Sequence, residues 1–235
     1  MYQVYVKLNE QNLITAINSS AFLSDTSGWV QIDEGEGDKY HHAQNNYLPK
    51  PIRTNDWDYR YKLEDGKVVE LSEEELEANK LPNVRQAKLA ELSQSCNQAI
   101  NAGTQVEVST GMEAFTYSID DQANVSEMAT AVTLGADGYL YHANGGKCRL
   151  YSSPDIVTMY VALSTLKTHH LTYHNLLKQY VNSLTSTQEI QAVRYGQDLT
   201  GEYLEQYGQL MAQAKVEMDK VIANMQKVSG NEAMA

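Results

Sequence analysis

Two long runs near the C-terminus restrict this chain more than any other feature. From Ser153 to Leu184 nothing breaks a helix, and Met159, Leu163, Leu166, His170, Tyr173, Leu177, Tyr180 and Leu184 recur at alternating intervals of four and three. Leu204, Tyr207, Met211, Ala214, Met218, Val221 and Met225 repeat the alternation in a second run that is helical from 203 to 228. Apolar residues at this alternation line one stripe of a helix and form the seam of a coiled coil. The second seam spans about three heptads, roughly 33 Å. A helix with such a stripe must be covered. Met, Ala and Tyr make a soft zipper, so neither helix is expected to be stable alone. Two coverings are open: the helices pack on each other, because residues 185–200 can span the turn, or each pairs between chains. The second makes Leu163, Leu166, His170, Tyr173, Leu177, Leu204, Tyr207, Met211, Met218, Val221 and Met225 an oligomer interface.

The helix ends carry their own signals. Ser153 reads as an N-cap, with Pro154 at the first helical position, where its missing N–H costs nothing. Ser186 and Glu189 have capping-box spacing, and Gly196 and Gly201 interrupt the following helix. The polar segment 229–235 reads as a frayed end.

The N-terminal part follows a different period. Tyr2, Val4, Val6 and Leu8 alternate as one face of a strand, a hairpin partner follows at 13–17, and Trp29 to Ile32 reads as a third strand. Tyr59, Tyr61 and Leu63 alternate again, and Asp65-Gly66 is a hairpin turn before Val68 and Val69. The stretch 33–56, with Gly35, Gly37, Pro49 and Pro51, reads as mostly loop. Residues 71–83 form a charged linker that opens on Ser72 and Glu75 at capping-box spacing and closes at Pro82. A helix is expected over 84–102, with Gly103 as its stop. Between 104 and 151 lie strands at 105–108 and 115–119, a helix capped by Asp120 or Asp121, and a hairpin around Asn144-Gly145-Gly146. The expected class is α+β: a β-rich domain at 1–70, the linker 71–83, a mixed helix and hairpin domain at 84–200 containing the long helix 154–184, and an association helix and tail at 201–235.

Composition narrows function. The formal net charge of -12 repels phosphate backbones, and no basic stripe offsets it, so direct nucleic-acid binding is not expected. No run approaches the ~20 apolar residues that a membrane helix needs, and the alternating N-terminus lacks the apolar core of a signal peptide; synthesis and folding in a cytosol are expected. Cys96 and Cys148 fit no zinc spacing and read as lone thiols. Sixteen Tyr against two Phe and two Trp suits wet interfaces or half-buried sites.

The sequence holds no phosphate loop, nucleophile elbow or paired-cysteine zinc site. Gly35-Glu36-Gly37 is a turn, and the acidic runs at 33–36 and 73–75 lack the spaced ligands of a calcium loop. His170 and His174, four apart on one helix, are the weak candidates for metal ligands. Leu171 follows His170 where a zincin has its glutamate, so no general base is in place, and polar side chains on a helix flank are the alternative reading. No catalytic or cofactor-binding residue emerges. A cell-wall hydrolase would have only the histidines in its favour.

Two stretches carry a resemblance. Val4-Tyr5-Val6-Lys7-Leu8-Asn9, the turn at Asp25-Thr26-Ser27-Gly28-Trp29, Ile32-Asp33-Glu34-Gly35, the segment from Gly37 to Tyr47 with His41-His42, and the phrase from Tyr61 to Glu70 resemble a module at the start of tail genes in phages and prophages of Gram-positive bacteria. Residues from about 84 to 195 resemble a domain of unknown function common in phage tail-fibre genes, through Ala102-Gly103-Thr104-Gln105-Val106, Asp120 to Val125, and Ser153-Pro154-Asp155-Ile156. The resemblance implies a non-enzymatic part of a bacteriophage tail, baseplate or fibre, made in the host cytoplasm and located in the virion. It implies other tail proteins as partners, no cofactor, and a homo-oligomer, with a trimer favoured because phage fibres favour trimers. A tail-fibre assembly chaperone absent from the mature virion is the alternative. The family brings no catalytic residues.

Overall fold

The computed structural model describes residues 1–231 of the chain, which divides into two compact units, Met1–Val84 and Arg85–Ala235. Its class is α+β, with strands gathered toward the N-terminus and long helices toward the C-terminus.

The first unit is built on an antiparallel sheet of β1 (Tyr2–Leu8), β2 (Ile14–Ser19) and β3 (Val30–Gly35), in the order β2-β1-β3. Its alternation works as expected from a strand of period two: Val4 and Val6 are completely buried, as is Ile14, in a cluster with the buried Ile17, Ala43 and Tyr61. The segment read as loop holds two single-turn helices, α1 (Asp38–His41) and α2 (Ala43–Asn46). Gly37, at φ +90°, starts α1 in a backbone region that other residues avoid. Gly35 has a separate role, because a side chain there would meet the Tyr40 ring at 2.5 Å. The hairpin β4 (Tyr61–Glu64) and β5 (Lys67–Glu70) turns at Asp65 and Gly66, both at positive φ.

The long helix α3 (Glu73–Ala102) corrects the expected linker. Ser72 and Glu75 do form the reciprocal cap, with the Glu75 amide donating to the Ser72 hydroxyl and the Ser72 amide to the Glu75 carboxylate. The helix does not close at Pro82 but runs through it. An interior proline costs one hydrogen bond and about 3 kcal/mol. The Glu-, Leu-, Ala-, Lys- and Gln-rich residues on both sides are good helix formers, and burial of Leu92, Cys96 and Ile100 anchors the C-terminal part.

In the second unit α3 ends at Gly103, and the hairpin β6 (Thr104–Val108) and β7 (Gly111–Phe115) follows. Helix α4 (Ile119–Thr133) is capped by Ser118, two or three residues earlier than expected, and Asp121 completes a capping box from the third position. The reason is chemical: Ser118 offers its hydroxyl to the Asp121 amide, and Asp121 returns a carboxylate to the Ser118 amide. A second hairpin, β8 (Gly138–Tyr141) and β9 (Arg149–Ser152), leads into α5 (Ser153–Ser183). Its N-cap is Ser152 rather than Ser153, because the Ser152 hydroxyl reaches the Asp155 amide. After the short α6 (Thr187–Ala192), residues 193–200 form an irregular turn into α7 (Gly201–Asn231). The frayed end expected from 229 is helical as far as Asn231; its last four residues, 232–235, lie outside the described residues.

Helix α5 is the axis of this unit. Helices α4 and α7 and strand β6 pack on it, and its Met159, Leu163 and Leu177 are completely buried. Each such side chain contributes roughly 1.5–3 kcal/mol by leaving water. Leu163 and Leu177 are thus covered within one chain and cannot also meet a second copy in this fold; Tyr173 and Met225 are similarly enclosed. Helix α7 lies on α5 with a rotation relative to the expected seam. Tyr203, Tyr207, Met211, Ala214, Met218, Ile222 and Met225 turn inward, whereas Leu204 and Val221 are exposed. These inward spacings follow the 3.6-residue period of a straight helix rather than the 3.5 of a supercoil. Among the described residues no helix is long and apolar enough to cross a membrane.

Candidate functional site

The densest group of chemically capable side chains lies where α5, residues 193–200 and α7 meet. Helix α5 contributes His169, His170, Tyr173 and His174 at helical spacing. The irregular turn contributes Tyr195 and Asp198, and α7 contributes Tyr207. The turn is held in place from α3. The Lys88 ammonium is buried and donates to the Val193 carbonyl at 3.0 Å and to Glu91 at 2.7 Å. Gly196, at φ +91°, reverses the chain.

Every tyrosine hydroxyl in this group is already engaged. Tyr207 is hydrogen-bonded to Nδ1 of His169, and Tyr195 to Nδ1 of His170 at 3.0 Å. The Tyr173 hydroxyl donates to the Gln197 carbonyl at 2.7 Å and accepts from the Gly196 amide at 3.0 Å. The rings line an open recess of ≈ 280 Å³. Tyr173 and Tyr195 meet edge-on at 87°, and His169 and Tyr207 at 85°.

Burial governs the titration of these groups. It holds His170 below the usual histidine range, with the neighbouring His169 acting in the same direction. It lowers His174 too, assisted by Lys178. Burial pushes the Tyr195 hydroxyl strongly up, reinforced by Cys96. The Cys96 thiol is raised by burial against an opposing hydrogen bond from Tyr195, and donates to the His170 carbonyl at 3.5 Å. A buried thiol held protonated is a poor nucleophile.

The two metal-ligand candidates take separate partners. His170 bonds Tyr195, while Nε2 of His174 lies 3.2 Å from the Ser93 hydroxyl on α3. Among the described residues no three His, Cys, Asp or Glu side chains converge on a position that could hold a metal. Cys96 is buried and Cys148 exposed, and both are free. In the first unit His41 and His42 pack edge-on and lie against Phe22, with Tyr2 edge-on to His41.

The tyrosines show why they are so numerous. Tyr47 donates to Asp33 at 2.8 Å, Tyr139 to Glu127 at 2.7 Å, Tyr141 to Asp121 at 3.1 Å and Tyr151 to Glu113 at 2.5 Å. In an acidic chain, a phenol can bury its ring and satisfy a carboxylate with its tip. Burial first, and Asp121 second, push the Tyr141 hydroxyl up to about 12.

A second concavity, an apolar groove of ≈ 380 Å³, runs between α5 and α7. Val161 and Thr165 form one side, Met211, Met218 and Ile222 the other, and Lys215 with Asp219 the rim. Leu166, His170, Tyr207, Met211 and Met218, from the expected interface, are half-buried. The sequence reading singled out His170, Tyr173 and Tyr207 but missed Tyr195 and Asp198. Their only signal was a Tyr and an Asp flanking Gly196 in a break between helices. No protein-family model matches the chain, and neither the curated proteins nor the solved structures compared with it hold a match.

Proposed function

We propose that this chain is a non-enzymatic structural component of a bacteriophage tail, in the baseplate or a fibre, that associates with its own copies through α7 and docks other tail proteins. The observation that carries the associative part is the surface of α7. Its inward stripe packs on α5, yet Leu204, Leu210, Val216 and Val221 remain in water at 37–54% exposure. Large apolar side chains repeated around one helix raise the free energy of an isolated chain and lower it on association. The phage part rests on the resemblance of the N-terminal module and of residues from about 84 to 195, and so do the trimer and the location in the virion tail after synthesis in the host cytoplasm. The Tyr–carboxylate bonds and the paired histidines have structural roles in this reading, with no cofactor.

The high acidity favours a second reading, a tail-fibre assembly chaperone that leaves before the particle is complete. Mass spectrometry of gradient-purified particles separates the two. Near-integer copy number in the particle supports the structural role. Presence in the lysate with absence from particles supports the chaperone.

A further inference from the structure

The geometry points to the recess between α5, residues 193–200 and α7 as a binding site for a small organic ammonium ion, of the quaternary or methylated kind. Four observations carry this. The walls are aromatic: Tyr173, Tyr195 and Tyr207 with His169 and His170. They form an open box: Tyr173 meets Tyr195 and Tyr207 meets His169 at right angles, while His169 and Tyr173 stand nearly parallel at 17° with centroids 6.4 Å apart. All three phenol hydroxyls are occupied by protein partners, which leaves ring surface rather than spare donors for a ligand. A quaternary ammonium needs no hydrogen bond and is held by the negative faces of such rings.

The fourth observation is charge. Asp198 is the one carboxylate in the lining, and no Lys or Arg shares it. Its field reaches the box: the Tyr173 hydroxyl is raised mainly by burial and further by the Asp198 charge. A carboxylate at the rim of an aromatic box complements a cation and repels an anion. The volume of ≈ 280 Å³ suits a headgroup the size of choline rather than a peptide. The inference is independent of the phage reading, because it uses only the site.

The test uses the full chain at pH 8. Choline is titrated against the protein by calorimetry or by amide chemical shifts, with 3,3-dimethylbutan-1-ol as its neutral isostere. Saturable choline binding is expected, with the isostere at least about tenfold weaker. Asp198→Asn, at an exposed position, should keep the fold and weaken choline several-fold while leaving the isostere unchanged. Tyr207→Leu should abolish choline binding, and Tyr207→Phe, which keeps the ring, should retain most of it. Equal binding of choline and the isostere would make the recess a merely apolar pocket and overturn the proposal. So would the absence of any choline response in a protein whose far-ultraviolet circular dichroism confirms the native helices.

Discussion

Asp155 holds Ser109 with both carboxylate oxygens, 2.7 Å from the Ser109 amide and 2.8 Å from its hydroxyl, while also accepting from the Ser152 hydroxyl at 2.9 Å. The first turn of α5 is thereby tied to the tip of the β6–β7 hairpin. Burial alone would raise this carboxyl, but the hydrogen bonds from Ser109 and Ser152 outweigh it and the group titrates below the usual range. A depressed folded pKa contributes stability that is present above the unfolded value near 3.8 and is lost as pH falls through the folded value. Asp155→Asn is expected to cost about 1.5–3 kcal/mol at neutral pH. In urea titrations its deficit relative to the native chain should hold constant from pH 5 to 8 and narrow only below about pH 4.

Gly103 lies at φ +69°, and a Cβ there would come within 1.8 Å of the Phe115 carbonyl oxygen. Handedness alone costs Gly103→Ala about 1–2 kcal/mol, and the backbone collision adds to it. The urea midpoint should fall clearly. Gly208→Ala, in open space on α7, should raise it slightly, since alanine is the better helix former by about 1 kcal/mol.

His170 bonds Tyr195 within its own chain. His170→Leu should orphan the Tyr195 hydroxyl and cost about 1 kcal/mol at pH 8. The sign under acid follows from its lowered pKa. Between the folded value and 6.5 the unfolded chain binds more protons, so stability drops as pH falls through that window. His174 acts in the same direction. Thermal melts from pH 7.5 to 5.5 should show a shallower acid loss in His170→Leu than in the native chain. Parallel curves would mean that His170 titrates alike in the folded and unfolded chain, without the lowering by burial.

Met218 is half-buried at the α5–α7 groove, whereas Val216 is 54% exposed. Met218→Glu should lower both the melting temperature and the mass measured by light scattering, because it places a charge against the groove. Val216→Glu should lower the mass while leaving the melting temperature nearly unchanged. If neither variant changes the mass, α7 does not mediate association.

Much of this arrangement was legible in the residues. Alternation located β1, Asp65-Gly66 located the hairpin turn, and the stop at Gly103 bounded α3. What escaped depends on tertiary context. Pro82 signals a boundary locally, yet α3 continues through it because its flanks favour helix. Leu204 and Val221 fit a heptad as well as Tyr203 and Ile222 fit a straight helix, and only packing on α5 chooses between them. The single turns α1 and α2 are too short for any periodicity to show. The recess was invisible because its walls come from three segments, and the link between His170 and Tyr195 spans 25 residues of sequence.

The inward stripe of α7 also has a chemical weakness. Met211, Met218 and Met225 stand seven residues apart along it, the first two half-buried and the last 3% exposed. Oxidation turns a thioether into a polar sulfoxide. Peroxide therefore reaches Met211 and Met218 before Met225, and each sulfoxide formed weakens the apolar hold of α7 on α5. The hold between the two helices is thus expected to age from the groove inward, with Met225 the last of the three to be reached.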